Sequence, residues 1–336
     1  MIAPDLASTF AGRRVLITGG LGFIGSSLAR ELVELGADVV LVDSLVPEYG
    51  GSLENIRGIE EQVHVNVSDV RDDHSLRRLV QGQDFVFNLA GQTSHLDSMT
   101  DPFTDLEINS RAQLSILEAC RHENPSANVV FASTRQIYGQ PRYLPVDEEH
   151  PVTPVDVNGI NKTAGEWYHL LYGRVYGMRV SVLRLTNTYG PRMRVKDARQ
   201  TFLGWWFRLI LSGETLTIYG DGSQRRDFTY VDDAVHAFLL AAARDAAAGQ
   251  VYNLGSREVV NLRALADLLV EVNGSGDVKS IPFPADRKAI DIGDYYADYS
   301  KIERELGWSP GVPLRDGVAR SLEYYREHGS AYWGDE

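Results

Sequence analysis

Hydrophobic positions in the first half of the chain fall into short continuous runs, separated by stretches with helical spacing. Arg13–Thr18 is a β-branched run that ends in glycines, and Phe23–Leu35 then repeats its apolar residues with a helical period. Ala37–Ser44 and Val63–Asp69 read as a second and a third buried strand, with Asp72–Val80 as a helix. Asp84–Ala90 is a fourth strand, Thr104–Arg121 a long helix and Asn128–Thr134 a fifth strand. Asn161–Tyr176 is another long helix and Arg179–Asn187 a sixth strand. Continuous apolar strands, each followed by a helix, predict a parallel sheet covered on both faces.

After Asn187 the character changes. A basic loop over 190–199 leads to an apolar helix at Phe202–Leu211, which carries Trp205 and Trp206. Thr215–Tyr219 reads as a strand, Val231–Arg244 as a helix and Val251–Leu254 as a strand. No tether separates the halves, so two interleaved lobes are expected. Residues 1–187, rejoined by 230–260, make the first; 188–229 and 261–336 make the second.

Composition narrows the function classes. With 43% hydrophobic and 24% charged residues, the 336-residue chain is ordinary globular material. A net charge of −13 argues against a nucleic-acid partner, because such a surface repels a phosphate backbone. An anionic small molecule remains compatible, since a few arginines and helix N-termini override the global sign locally. The single cysteine, Cys120, rules out an intrachain disulfide and a cysteine-cluster metal site, so no metal is expected. No apolar stretch of membrane-spanning length and no secretory signal pattern are evident, which predicts a cytoplasmic protein.

The strongest local signal is Thr18-Gly-Gly-Leu-Gly-Phe-Ile-Gly25, directly after a strand and opening a helix. Gly19, Gly22 and Gly25 supply a tight turn, a close backbone approach to a pyrophosphate and close packing of helix on strand. The helix N-terminus then offers N–H groups to phosphates. Asp43 closes the second strand 18 residues beyond Gly25. A carboxylate there can accept from the adenosine ribose hydroxyls and repel a 2′-phosphate, favouring NAD over NADP. The plainer alternative is a turn or N-cap aspartate. Asp69 and Val70, at the end of the third strand, would lie beside the adenine.

The chain resembles the extended short-chain dehydrogenase/reductase family, in its branch of nucleotide-sugar epimerases and dehydratases. The likeness rests on TGGLGFIGSSL (18–28), NLAGQTS (88–94), FASTRQIYG (131–139), the helix with Lys162 and Glu166, LRLTNTYGPR (183–192), YGDGSQRRDFTYVDD (219–233) and GDYYADYSKIERELGW (293–308). It implies an α/β fold, a Rossmann-type doubly wound parallel sheet with a smaller α/β substrate-binding lobe. It implies NAD as cofactor, along Gly19, Gly22, Phe23, Ile24 and Gly25 and against Leu89, Ala90 and Gly91. It implies a nucleotide-diphosphate sugar as substrate and a homodimer joined by a four-helix bundle from helices near 104–121 and 160–177. Thr134 matches the residue that hydrogen-bonds the reacting sugar hydroxyl, and Lys162 the lysine that binds the nicotinamide ribose. Asn187 and Arg226 match positions that hold the diphosphate. Taken singly, Thr134 is also a strand-end residue, Arg226 beside Asp227 a surface ion pair and Lys162 a solvated helix lysine.

Three departures matter. The family carries Tyr four residues before the lysine, and here Asn158 stands there. An amide has no accessible pKa and cannot take the hydroxyl proton. The proton then goes to another group, the chemistry is different, or the protein binds without turnover. Candidate bases are His95 after the fourth strand, Lys162 with a depressed pKa, and Thr134 with a water held by Asn158. His95 has the alternative of a hydrogen-bonded loop histidine. Asp156 is expected to face solvent ahead of the helix. Second, Arg135 and Gln136 stand where the 4,6-dehydratases of the family carry Asp and Glu, which argues against 4,6-dehydration. Arg135 then binds an anionic substrate group or makes a structural ion pair. Third, Asp291 stands where relatives often carry Arg, and Arg287 is expected to reach the diphosphate instead. These readings predict an NAD-dependent epimerase with a non-standard acid/base. A dehydratase or reductase of the same substrates, or a silent binding protein, is the alternative.

Overall fold

A computed structural model describes residues 4–333. The first half consists of α1 (Pro4–Phe10), β1 (Arg14–Thr18), α2 (Phe23–Glu34), β2 (Asp38–Asp43), β3 (Val63–Val67), α3 (Asp73–Leu79), β4 (Phe85–Asn88), α4 (His95–Thr100), α5 (Pro102–Leu106), α6 (Ala112–Glu123), β5 (Asn128–Thr134), α7 (Val157–Tyr176) and β6 (Arg179–Leu185). The second half adds β7 (Asn187–Tyr189), α8 (Phe202–Leu211), β8 (Leu216–Tyr219), β9 (Arg225–Tyr230), α9 (Val231–Ala243), β10 (Val251–Asn253), β11 (Val259–Asn261), α10 (Leu262–Asn273), β12 (Val278–Ile281), α11 (Ala285–Ala289), α12 (Ser300–Leu306) and α13 (Leu314–His328).

Seven parallel strands form the main sheet, in the order β10-β6-β5-β4-β1-β2-β3. Successive residues of a strand face opposite sides, and both sides are apolar here. In β1, Val15 and Ile17 join a core with Leu28 and Leu32 of α2 and Phe238 of α9. Leu16 joins the other core, with Ile116, Leu117 and Cys120 of α6. The doubly wound α/β fold therefore follows from the strand composition.

The chain leaves β1 toward β2 and β3 on one side, and toward β4, β5 and β6 on the other. The topological switch point lies between β1 and β4, where the loops after these strands diverge and leave a crevice. The second lobe caps that crevice. It contains a three-stranded sheet, β11-β9-β7, and a parallel pair, β12-β8, backed by α8, α10 and α13.

The structure departs from the sequence pattern at four places. β3 is not buried: it is the sheet edge, and of its five residues only Val63 is covered. The helix expected at 104–121 begins at Pro102 and widens into a π-turn at Glu107–Arg111 before α6. The strand expected to run to Asn187 stops at Leu185. Thr186 donates to buried Asp227 of β9, and Asn187–Tyr189 crosses to the smaller sheet. Finally, α7 starts at Val157, capped by Asp156, which accepts from the Gly159 N–H at 2.6 Å. Asn158 therefore sits in the first turn of α7, inside the protein.

Candidate active site

A cleft of about 580 Å³ opens on the C-terminal edge of the sheet, between the two lobes. That volume suits a small-molecule ligand. Its lining joins the glycine loop, the first turn of α7 and the arginines of the second lobe.

The glycine loop is built as the spacing predicts. Gly19 has φ +69°, and a Cβ there would lie 3.0 Å from the Ala90 backbone N, so the loops after β1 and β4 touch. A Cβ on Gly25 would run into the Gly19 carbonyl oxygen and lie 2.9 Å from the Gly20 Cα. No side chain caps α2 at Gly22, so its first N–H groups remain open to a ligand. Thr18 donates to Asn88 at 2.9 Å and accepts from the Ala90 N–H at 3.1 Å, which fixes the Leu89–Gly91 loop. Phe23, Ile24, Leu89, Ala90 and Gly91 all line the cleft. Asp43 lines it too, and its carboxylate accepts from the Leu21 and Leu45 N–H groups at 3.1 and 3.0 Å; burial pushes its pKa up. Asp69 and Val70 lie at the same end, with the Asp69 carboxylate held at 2.6 Å by Arg71 and its pKa lowered by that hydrogen bond. Glycines that admit no Cβ, an uncapped helix N-terminus and a strand-end carboxylate together fit the pyrophosphate and ribose of a dinucleotide.

The centre of the cleft holds Thr134, His95, Asn158 and Lys162. Thr134 ends β5, and its hydroxyl oxygen accepts from the Gln136 N–H at 3.2 Å, leaving its own proton to donate. Lys162 is buried over the Phe131 ring, 5.2 Å from its centroid, and donates to the Ala132 carbonyl at 3.3 Å. Burial lowers its pKa to about 8, against the opposing pull of Asp105.

Asn158 is 2% exposed and its orientation is fixed by chemistry. Its Nδ2 donates to the Gln92 carbonyl at 2.8 Å and to Asp105 Oδ2 at 3.1 Å. Both partners are acceptors only, so the NH₂ must face them. No described protein group donates to its Oδ1, so the amide presents a carbonyl oxygen to the cleft. Asp105 is itself fully buried and gathers three asparagine amides, from Asn109, Asn158 and Asn161. The sequence reading missed Asp105 and Gln92. Only the i,i+4 spacing of Asp105 and Asn109 hinted at the cluster.

His95 is not in a loop; it opens α4, behind the Ser94 N-cap. Its Nδ1 lies 3.0 Å from Asp156 Oδ2. Contrary to expectation, Asp156 does not face solvent. It is 2% exposed, because it caps α7 and also accepts from Gln136 at 2.8 Å. Its burial favours the neutral acid, yet the imidazole 3.0 Å away, in ion-pair range though without hydrogen-bond geometry, and the N–H groups of Gly159 and Gln136 outweigh that and leave its pKa below the usual carboxylate range.

The arginines sort by their partners. Arg226 donates to the Arg225 and Gly293 carbonyls, lies 3.4 Å from Asp291, and has its pKa lowered to about 10 by burial. Asn187 donates to the Asp227 carbonyl at 3.0 Å and accepts from Arg135 at 3.0 Å, so both ends of its amide are used within the protein. Arg287 stands over the Tyr219 ring at 5.4 Å. Trp206 and Trp205 both line the cleft, and Trp206 is also core. Among the described residues there is no cluster of metal-ligating side chains, and no helix is long and apolar enough to cross a membrane.

The model of the NAD dependent epimerase/dehydratase family matches residues 15–255. The chain is 31% identical over 316 residues to a UDP-glucose 4-epimerase of Mycolicibacterium smegmatis, covering 93% of this chain and 98% of that protein. It is 32% identical over 324 residues to a dTDP-glucose 4,6-dehydratase of Streptomyces griseus, covering 95% of each. Among solved structures, MoeE5 in complex with UDP-glucuronic acid and NAD superposes with a TM-score of 0.82 at 29% identity, covering 94% of this chain and 99% of that one.

Proposed function

The chain belongs to the NAD-dependent epimerase/dehydratase family of enzymes, whose cofactor is NAD, and from that premise we propose that it is a nucleotide-sugar epimerase in which the His95–Asp156 pair replaces the tyrosine. The observation that carries this reading is the position of His95 in the same cleft as Thr134, Lys162 and the glycine loop, braced by a buried carboxylate.

In this reading a small rotation of the imidazole, already 3.0 Å from Asp156, lets Nδ1–H donate to that carboxylate and leaves the Nε2 lone pair for the substrate. The glycine loop, Asp43 and Lys162 would hold NAD, which when bound would supply the hydride acceptor and donor for the sugar carbon. As a C–H bond of the sugar breaks with its electron pair, the hydroxyl proton passes to His95 Nε2 and a carbonyl forms. After the keto-sugar turns over, the imidazolium returns the proton to the oxygen, and the opposite configuration results. Thr134 donates to the reacting oxygen and the Asn158 carbonyl accepts from a neighbouring hydroxyl. Lys162 contributes a positive charge that disfavours a bound proton nearby. The Rossmann lobe (1–187 with 230–260) carries the cofactor, and the second lobe (188–229 and 261–336) holds the nucleotide through Arg226 and Arg287. The entry of β10 into the main sheet supports that division.

A homodimer fits the surface. Ile160, Trp167, Leu171 and Val175 form an exposed apolar stripe on α7, and Phe103 and Leu106 of α5 are exposed as well. The stripe suits a helix bundle with a second copy. Trp167→Glu should shift the protein to monomer in light scattering.

The function is tested by incubating the NAD-loaded protein with UDP-, CDP-, GDP- and dTDP-sugars and following proton NMR. A sugar with one inverted carbon is expected, and His95→Gln should slow its formation by about 10²- to 10⁴-fold while NAD is retained. Full turnover in His95→Gln would remove the histidine from the mechanism. Loss of water instead of inversion would make the enzyme a dehydratase.

A further inference from the structure

Arg135 follows Thr134 directly, at the mouth of β5, and lines the cleft. The residue is half-buried, with Nη1 enclosed, Nη2 donating to Asn187 Oδ1 at 3.0 Å and the guanidinium carbon 5.3 Å from the centroid of the Tyr295 ring. No carboxylate among the described residues forms an ion pair with it. The fully buried Asp227 is committed elsewhere, accepting from Thr186 and from the Ala297 N–H. Nη1 is buried and has no hydrogen-bond partner among the described residues. A guanidinium with an enclosed, orphaned donor is costly unless an anion completes it, and burial pushes its pKa down for that reason. Arg226, which also lines the cleft, differs: it already spends its donors on two carbonyls and Asp291.

We infer that Arg135 reads a carboxylate on the sugar ring, so that the substrates are nucleotide-diphosphate uronic acids rather than neutral sugars. The inference rests on the proposed function, because it takes the sugar to lie against Thr134. A planar guanidinium suits a carboxylate, presenting parallel N–H groups to its two oxygens. The Asn187 amide, fixed at its other end by the Asp227 carbonyl, aims the fork. Asp227, Asp291 and Asp156 lie near enough to offset part of the charge, but a neutral hexose offers only a hydroxyl at that place and makes no ion pair with the guanidinium.

UDP-glucuronate and UDP-glucose differ only in a carboxylate against a hydroxymethyl group, so their dissociation constants isolate this contact. Titration calorimetry of the NAD-loaded protein should show UDP-glucuronate binding about 10- to 100-fold tighter, the size of one charge-assisted hydrogen bond. In Arg135→Gln the preference should vanish, with UDP-glucuronate falling to the affinity of UDP-glucose. Asn187→Ala, which removes only the group that aims the guanidinium, should narrow the preference without abolishing it, and covers the case in which Arg135→Gln fails to fold. Equal weakening of both ligands in these variants would assign Arg135 to the diphosphate, overturning the inference and leaving the proposed function standing. Equal affinity of the unaltered protein for the two ligands would also overturn it. If neither UDP-sugar nor UDP itself binds, the nucleotide-sugar reading falls and takes the inference with it.

Discussion

The substitution Asn158→Asp tests the orientation of the buried amide four residues before Lys162. It exchanges one NH₂ for an oxygen, so packing is unchanged. That NH₂ lies 3.1 Å from Asp105 Oδ2 and 2.8 Å from the Gln92 carbonyl, both acceptors. The variant brings two carboxylates to that separation in a buried site. At an effective dielectric constant of about 20, two unit charges that close repel by about 5 kcal/mol, and two hydrogen bonds are lost as well. The pair escapes by holding one proton, as close carboxylates do. The folded-state pKa of the new group is therefore raised above its unfolded value of about 4. The sign follows: the variant is least impaired at low pH, where the shared proton is present in folded and unfolded chains alike. It loses about 1.4 kcal/mol per pH unit between the unfolded and folded pKa values, to a total of about 3–5 kcal/mol at pH 8. Urea unfolding followed by tryptophan fluorescence at pH 5 and pH 8 measures this, with the unaltered protein as reference. Equal stability of the two proteins at pH 8 would refute the reasoning, since it would place the Asn158 oxygen, not its nitrogen, against Asp105.

The remaining predictions need no knowledge of the sugar either. Gly25→Ala should abolish NAD retention, read from the absorbance released on denaturation, because its Cβ runs into the Gly19 carbonyl and forces α2 away from the loop. Asp156 has a depressed carboxyl pKa, so its stabilising contact with His95 is present above pH about 4 and lost as pH falls through the folded value. Asp156→Asn should therefore flatten the acid limb of the stability profile while keeping the α7 cap, since Asn also caps. Cys120 is buried, with its thiol pushed up to about 12, so a thiol reagent should find no reactive group in the native protein and one per chain after unfolding.

Much of this was legible along the chain because it is local. The apolar runs of β1, β2, β4, β5 and β6 need both faces covered, and that alone requires helices on either side. The glycine loop is a contiguous motif whose backbone demands are written in its own residues. That an asparagine stands four positions before Lys162 was equally visible.

What surrounds Asn158 came only from tertiary contacts. Asp156 is a polar residue before a helix, and its sequence context suggested solvent; the fold instead turns α4 over it and places His95 against it. Asp105 lies 53 residues from Asn158, and the packing of α5 on α7 brings its carboxylate to Asn158 and Asn161, with Asn109 of the following π-turn as the third amide. Arg135 is one more basic residue in the sequence, and its enclosed Nη1 is seen to lack an acceptor only once Asp227 is found bound to Thr186 and Ala297. Periodicity sets which way a side chain faces from its own element. Whether a charge finds a partner depends on which distant segments the sheet order lays beside it, and no local pattern encodes that.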